Sequence, residues 1–197
     1  QTQLPDDAPN HFMINIGPQE VQAVDQLLRE KGINSEALYP MIRGRIMAVE
    51  GDALPTREEA ELDGPRQREV NFTWSETLPA GNDLVAGTWW QPGTDAALVS
   101  LEVEFAQRMG IEVGDQLSML VGAQPLEVTV SSLRSLDWQS MRPNFFMVFP
   151  PKVLSGYPAT FMTSFHLDPA NKAFLNGFIR QFPTVTVIEM DLVIDQI

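Results

Sequence analysis

The sequence contains no cysteine, only two histidines and no long apolar run. The absence of cysteine excludes disulfide bonds, thiolate nucleophiles and sulfur ligands to metals. Because no stretch reaches about eighteen consecutive apolar residues, no transmembrane helix is predicted in these 197 residues. Basic residues are scarce, with 13 Lys and Arg against 26 Asp and Glu and a formal net charge of −13. This charge argues against nucleic acid or an anionic membrane surface as a partner, since both require clustered basic side chains.

Sequence patterns typical of catalysis are missing as well. His11 and His166 are isolated in the sequence and form no HExxH-like pattern. No serine lies in a Gly-x-Ser-x-Gly pattern, and the sequence has neither a P-loop nor a Gly-x-Gly-x-x-Gly turn. We therefore predict no catalytic, cofactor-binding or metal-binding residue, and we expect both histidines to be polar side chains at a sheet surface.

Two other patterns have simple structural interpretations. Glu58, Glu59, Glu61 and Asp63 could in principle bind calcium, but their spacing differs from an EF-hand loop and arginines flank them. A solvated linker is the better interpretation of this acidic run. The glycosylation pattern at Asn71 lies inside a predicted strand and is short enough to arise by chance.

The sequence leaves the cellular compartment and the limits of the protein open. A chain without cysteine fits the cytosol and equally a periplasmic protein that dispenses with disulfides. It begins with Gln1, which is typical of a segment of a longer protein or of a processed chain.

The two ends of the chain carry alternating strand and helix patterns. A strand over 11–16 precedes a helix that starts at Gly17-Pro18 and ends before Gly32, which makes a βα unit. Near the other end, a strand over 161–167, a helix capped by Asp168 and a strand over 184–188 predict a βαβ unit.

The middle of the chain is predicted to be mostly β. In the stretch 70–90, Val70, Phe72 and Trp74 alternate with polar residues, and a turn over 78–83 precedes a second apolar run. This pattern predicts a hairpin-like unit. It is followed by predicted strands and one helix: a strand over 96–99, a helix with Ser100 as its cap, and strands over 116–121, 126–130 and 144–149.

These elements predict an α+β fold with two lobes. Residues 11–50 and 151–197 would form an α/β lobe from both chain ends, and residues 70–150 an inserted β-rich lobe. Residues 51–69 are charged and lack an apolar period, so they are interpreted as a linker or an excursion between the lobes.

Adjacent aromatic residues mark the candidate surface. Trp89 and Trp90 cannot both face inward from an extended segment, and the same holds for Phe145, Phe146 and Met147. Such residues most often fill a core. The alternative is a surface for a partner or a hydrophobic ligand, because exposed aromatic and Met side chains favour adaptable apolar contacts.

Four ordered blocks of sequence resemble a known family. They are YPMIRGRIMAVEG (39–51), REVNFTWSETLPAGNDLVAGTWW (68–90), ALVSLEVEFAQRMGIEVGD (97–115) and MRPNFFMVFPPKVL (141–154). Together they are similar to the first periplasmic region of MacB/FtsX-type ABC transporter permeases, and most similar to the YbbP-like group. The resemblance covers nearly the whole chain.

The resemblance implies a MacB-like periplasmic core domain of a bacterial inner-membrane protein. Such a domain has a membrane-proximal α/β lobe (Porter-like) and a distal β-rich lobe (Sabre-like), and it lies between the first two transmembrane helices. The resemblance also implies a cytoplasmic ABC ATPase subunit as partner, no active site, and an association with a periplasmic esterase or lysophospholipase. A role in moving lipids or other hydrophobic molecules would follow.

Three hypotheses for function result. The first is a domain that transmits ATP-driven movement and docks periplasmic partners, with no cofactor, with both termini on one side and with a monomeric isolated form. The second is a soluble-type module that binds a lipid or an acyl chain in its own pocket. The third and least favoured is a hydrolase of unrecognised type.

Overall fold

The fold is known from a computed structural model that describes residues 6–54 and 69–190. Most of the predicted linker over 51–69, including Glu58, Glu59, Glu61 and Asp63, lies outside the described residues. Packing divides the chain into two compact units. Unit 1 comprises Gln1–Pro40, Asp137–Asn144 and Ala159–Ile197, and unit 2 comprises Met41–Leu136 and Phe145–Pro158.

The described residues form twelve strands and four α-helices. The strands are β1 (His11–Ile16), β2 (Asn34–Ser35), β3 (Tyr39–Val49), β4 (Asp52–Ala53), β5 (Val70–Trp74), β6 (Asn82–Gly87), β7 (Leu98–Glu102), β8 (Gln116–Val121), β9 (Gln124–Leu136), β10 (Met147–Phe149), β11 (Thr160–His166) and β12 (Thr186–Glu189). The helices are α1 (Val21–Glu30), α2 (Val103–Met109), α3 (Pro151–Leu154) and α4 (Ala173–Gln181), with short 3₁₀ turns at Pro18–Glu20 and Pro169–Asn171. This mixture of helices and sheet confirms the α+β class.

Unit 1 is built on a sheet in the order β12-β1-β11-β2. β1 runs antiparallel to both β11 and β12, so those two strands run in the same direction with β1 between them. The chain from β11 through α4 to β12 is therefore a split βαβ unit. The βα unit predicted at the amino end and the βαβ unit predicted at the other end are both confirmed.

Apolar faces of the two helices fill the core of unit 1. Val24 and Leu28 lie one turn apart on α1 and are fully buried. On α4, the ring of Phe178 lies 5.7 Å from that of Phe174 and 5.0 Å from that of Phe182. The cap predicted at Asp168 is confirmed, because its carboxylate accepts a hydrogen bond from the N–H of Ala170 at 3.1 Å.

Unit 2 is organised around a closed ring of six strands. The order is β3-β5-β10-β7-β9-β8, and β8 pairs again with β3. β4 pairs with β3, and β6 pairs with the far end of the long strand β9. Fully or almost fully buried side chains from these strands pack together, including Phe72, Leu101, Leu117, Met119, Met147 and Phe149. A small closed sheet of this kind is filled by its own side chains.

The hairpin-like unit expected over 70–90 is wrong. β5 pairs with β3 and β10, and β6 pairs with β9, so the two strands of the stretch belong to different parts of the sheet. Turn-forming residues between two apolar runs predict a hairpin only when no other strand pairs with the backbone N–H and C=O groups of those runs. Here two strands distant in sequence occupy both edges of β5.

The helix cap predicted at Ser100 is also wrong. β7 continues to Glu102, and Ser100 lies inside it, paired with β9 and β10. The carboxylate of Glu102 accepts the N–H of Phe105 at 2.6 Å, so Glu102 caps α2. Ser and Glu can both accept such a bond, and the length of the buried strand decides which residue stands at the helix start.

We predict that Gly44→Ala destabilises the protein by about 1–3 kcal/mol. A methyl group at Gly44 in β3 would overlap the ring of Phe72, which is fully buried and cannot move away without displacing its neighbours. Urea unfolding of the chain measures the loss. Gly156→Ala is the matched control, since no atom lies within 4 Å of its added methyl. Equal stability of the two variants would contradict the prediction.

Candidate functional site

The two adjacent tryptophans of the predicted surface lie directly after β6. Trp90 is 6% exposed, whereas Trp89 is half-buried, and their ring centroids are 3.9 Å apart. The indole N–H of Trp89 donates to the carbonyl of Glu76 at 2.9 Å. That of Trp90 donates to the carbonyl of Ser75 at 3.1 Å. Both rings therefore hold the segment after β6 against the segment after β5.

The segment after β5 is in turn fixed to the ring of strands. The N–H of Ser75 donates to the carbonyl of Phe149 at 3.0 Å, which extends the pairing of β5 with β10. The carboxylate of Glu76 accepts the N–H of Gly93. The tryptophan loop, residues 88–94, is thus held at its start by two indoles and at its end by a carboxylate.

The second predicted segment divides in the same way between core and surface. Phe145 is 5% exposed and Met147 is fully buried, and both belong to the core of unit 2. Phe146 is half-buried, and its ring stacks on Phe105 of α2 at 4.8 Å. Of the five predicted residues, Trp89 and Phe146 are the two that reach solvent in part.

A buried arginine that the sequence analysis did not single out positions this second segment. The guanidinium of Arg134 on β9 is fully buried and donates to Asn82 Oδ1 at 2.6 Å and to Ser100 Oγ at 2.9 Å. It also donates to three backbone carbonyls: Ser100 at 3.1 Å, Phe145 at 3.1 Å and Phe146 at 3.0 Å. One side chain therefore joins β6, β7, β9 and the segment at 145–146.

The electrostatics of Arg134 are those of a structural cation. Burial lowers its pKa to about 10, while the carboxylate of Glu102, opposite it on β7, acts in the other direction. The side chain therefore remains charged at neutral pH, and it keeps every donor that its five acceptors require. Because its donors are hydrogen-bonded to oxygens of the protein itself, this guanidinium stabilises the fold and does not bind an anionic ligand.

The alternation of buried and partly exposed residues along β9 could have predicted that Arg134 is buried. Val128, Val130, Ser132 and Arg134 occupy every second position and are all buried. Because side chains of a strand alternate between its faces, Arg134 shares a face with those three residues. The predicted strand over 126–130 ends before Ser132 and Arg134, so the alternation that places Arg134 in the core was not recognised.

The two histidines lie at the sheet of unit 1. His11 is 5% exposed and stacks on Phe165 at 5.2 Å, so its expected position at a sheet surface is wrong. His166 contacts the carbonyl of Ala8 through Nδ1 at 2.9 Å. Within residues 6–54 and 69–190, no group of three or more His, Asp and Glu side chains is arranged to hold a metal ion. No helix over the same residues is long and apolar enough to cross a membrane.

Comparison with known proteins identifies one curated relative. The chain is 36% identical over all 197 residues to the uncharacterized ABC transporter permease YbbP of Escherichia coli (strain K12). It spans 24% of the length of that relative. No family model matches the chain.

Comparison with solved structures adds one domain of a protein assigned as a permease, from Porphyromonas gingivalis. It is similar over 92% of this chain and 91% of its own length, at 13% identity and a TM-score of 0.47. A TM-score below about 0.5 does not establish a common fold, so no conclusion rests on this similarity.

We predict that Arg134→Met lowers the free energy of unfolding by about 3–5 kcal/mol. The substitution removes five hydrogen bonds at similar side-chain volume. The carbonyl of Phe146 keeps the N–H of Glu102 and Ser100 Oγ keeps the hydroxyl of Ser132, whereas the carbonyl of Phe145 and Asn82 Oδ1 lose the donor that Arg134 provides. Burial lowers the pKa of Arg134 to about 10 in the folded state, below that of an exposed arginine, so the cost of burying the cation is relieved only as the pH rises above about 10. The difference between variant and wild type should therefore stay constant from about pH 6 to 9.

Chemical denaturation at several pH values in that interval measures the effect. Arg43→Met is the matched control, because the side chain of Arg43 is 74% exposed and its contact with Glu69 is 3.6 Å. We expect its loss to stay within about 1 kcal/mol. A similar loss in both variants would show that Arg134 is not the centre of this packing.

We predict that Trp90→Ala destabilises the protein by about 3–5 kcal/mol, and Trp89→Ala by clearly less. Trp90 is buried, so its removal leaves a cavity, whereas Trp89 is half-buried. Each variant loses one indole hydrogen bond, which makes them a matched pair. Thermal unfolding followed by circular dichroism measures the order, and a reversed order would contradict it.

Proposed function

From the relation of the whole chain to the ABC transporter permease YbbP, we propose a function for this protein. That relation confirms the family resemblance predicted from the sequence. The chain is the periplasmic domain of a MacB/FtsX-type permease subunit in the bacterial inner membrane. It transmits the movement that ATP hydrolysis drives in the cytoplasm to the periplasm. The 36% identity over all 197 residues is the observation that carries this proposal.

The geometry of unit 1 supports an insertion between two membrane helices. The N–H of Met190, just after β12, donates to the carbonyl of Asn10, just before β1, at 3.0 Å. β1 and β12 are neighbouring antiparallel strands. The segments that lead into and out of the domain therefore meet at one edge of the sheet, as a domain inserted between two membrane helices requires.

The partners and the cargo are part of the proposal. A cytoplasmic ABC ATPase subunit supplies the energy, and a periplasmic esterase or lysophospholipase is the expected neighbour for a transporter that exports or extracts lipids. Trp89 and Phe146, both half-buried aromatics of unit 2, are the candidates for contact with a partner or a hydrophobic molecule. The excised domain is a monomer, because its membrane helices and ATPase are missing.

A module that holds an acyl chain in its own pocket is the less favoured function. The ring of strands in unit 2 is the natural place for such a pocket, but its interior is occupied by side chains. The rings of Phe72 and Phe149 lie 5.0 Å apart within it, and both are fully buried. An acyl chain would have to displace this packing, which costs more than binding at a surface.

We predict that a cysteine in place of Val113 is labelled from the periplasm in the full-length permease. Val113 is 42% exposed, and the chain has no cysteine of its own. A membrane-impermeant maleimide applied to bacteria with a permeabilised outer membrane should modify Val113→Cys. Any cysteines of the rest of the permease are first replaced.

Val99→Cys is the control for accessibility, because Val99 is fully buried in β7. It should react only after unfolding. If Val113→Cys reacts only when the inner membrane is also permeabilised, the domain lies in the cytoplasm and the proposed function is wrong.

A further inference from the structure

One asparagine joins the incoming and outgoing segments of unit 1. The side chain of Asn10 donates through Nδ2 to the carbonyl of Leu167 at 3.0 Å. Its Oδ1 accepts the N–H of the same residue at 2.8 Å. The main chain of Asn10 donates to the carbonyl of Phe165 at 2.9 Å and accepts the N–H of Met190 at 3.0 Å. Four hydrogen bonds thus connect Asn10 to the end of β11 and to the residue after β12.

The neighbouring residues strengthen the same junction. The ring of His166 contacts the carbonyl of Ala8 at 2.9 Å, which holds the incoming segment two residues before Asn10. Met190 is 4% exposed and Leu167 is 3% exposed, so both partners of Asn10 are anchored in the core of unit 1. We call Ala8, Asn10, Leu167 and Met190 the end clasp.

The chemistry of the clasp favours asparagine over other side chains. A carboxamide carries one donor and one acceptor side by side, so it pairs with both backbone groups of Leu167 as another peptide group would. An aspartate has the same shape but offers two acceptors, one of which would face the carbonyl oxygen of Leu167. Alanine or leucine would leave both groups of Leu167 without a partner, and that residue is buried.

We propose that Asn10 is a positioning residue that locks the incoming and outgoing segments into one element, so that a displacement of either moves unit 1 as a whole. The inference rests on the proposed function, since it concerns how movement of two membrane helices reaches the domain. Without the clasp, the incoming segment can separate from β11 and β12 while the sheet stays folded. Movement would then be absorbed by that separation instead of being transmitted.

The clasp itself is tested by N10D in the full-length permease with its ATPase, using hydrogen exchange. We expect the amides of Leu167 and Met190 to exchange on the order of tenfold faster, because one hydrogen bond is replaced by a contact between two oxygens. Amides of β9 in unit 2 should exchange as in the wild type, which shows that the variant folds. Unchanged exchange at Leu167 and Met190 would overturn the proposal.

N15D is the matched control. Asn15 lies on β1, five residues after Asn10, is exposed and donates to Thr186 Oγ1 at 3.2 Å. Its backbone has a positive φ of 62°, which aspartate also tolerates. N15D should leave exchange at Leu167 and Met190 within about twofold of the wild type. A response equal to that of N10D would attribute the effect to added negative charge in this part of the sheet and would overturn the role of Asn10.

Transmission is tested by the change in hydrogen exchange of unit 2 that ATP induces in the complex. We expect N10D to lose most of this change while ATP hydrolysis stays within about twofold of wild type. A covalent substitute should rescue it: F12C together with I188C places two cysteines at directly paired positions of β1 and β12. Hydrogen-bonded antiparallel pairs have Cα atoms about 5.5 Å apart, which lies within the range that a disulfide bridges. The oxidised triple variant should respond and the reduced one should not.

The outcomes separate the two proposals. If N10D opens the clasp and the change induced by ATP persists, Asn10 has no role in transmission, while the proposed function stands. If the wild type itself shows no such change in either unit, the proposed function is wrong and the role of Asn10 in transmission falls with it.

Discussion

The buried guanidinium of Arg134 is the interaction on which the order of unit 2 depends. A cation without water must satisfy its donors within the protein, and Arg134 does so with five oxygens from three segments. These hydrogen bonds fix the position of Asn82 at the start of β6, of Ser100 in β7 and of the backbone at 145–146. The half-buried ring of Phe146 is positioned by its own carbonyl, which Arg134 holds from the interior.

In unit 1, a neutral side chain provides hydrogen-bond partners for buried backbone groups. At the start of β1, the carboxamide of Asn10 replaces a peptide group and completes the pairing of Leu167. The two units thus use long-range polar contacts at the points where the chain enters, leaves or changes direction. These are the places where the segments would separate first if apolar packing alone held them.

The sequence predicted the elements of unit 1 well because their signals are local. Helical spacing of apolar residues on α1 and α4, the cap at Asp168 and the glycine after α1 depend on neighbours within a few positions. The bounds of β8 were predicted to the residue for the same reason. The surface candidates were predicted only as alternatives, since alternation shows that one of two adjacent aromatics faces outward but not which one. The structure assigns the half-buried positions to Trp89 and Phe146.

By itself, the sequence determined the α+β class, the βα and βαβ units at the two ends and the relation to ABC transporter permeases. Composition, short-range periodicity and four ordered blocks carry that information. Only the tertiary structure decided that β5 and β6 do not form a hairpin, that Ser100 lies within a strand, and that Arg134 and Asn10 hold the segments together. The physical reason is that each of these depends on hydrogen-bond partners distant in the sequence, up to 180 residues away for Asn10 and Met190, which no local pattern encodes.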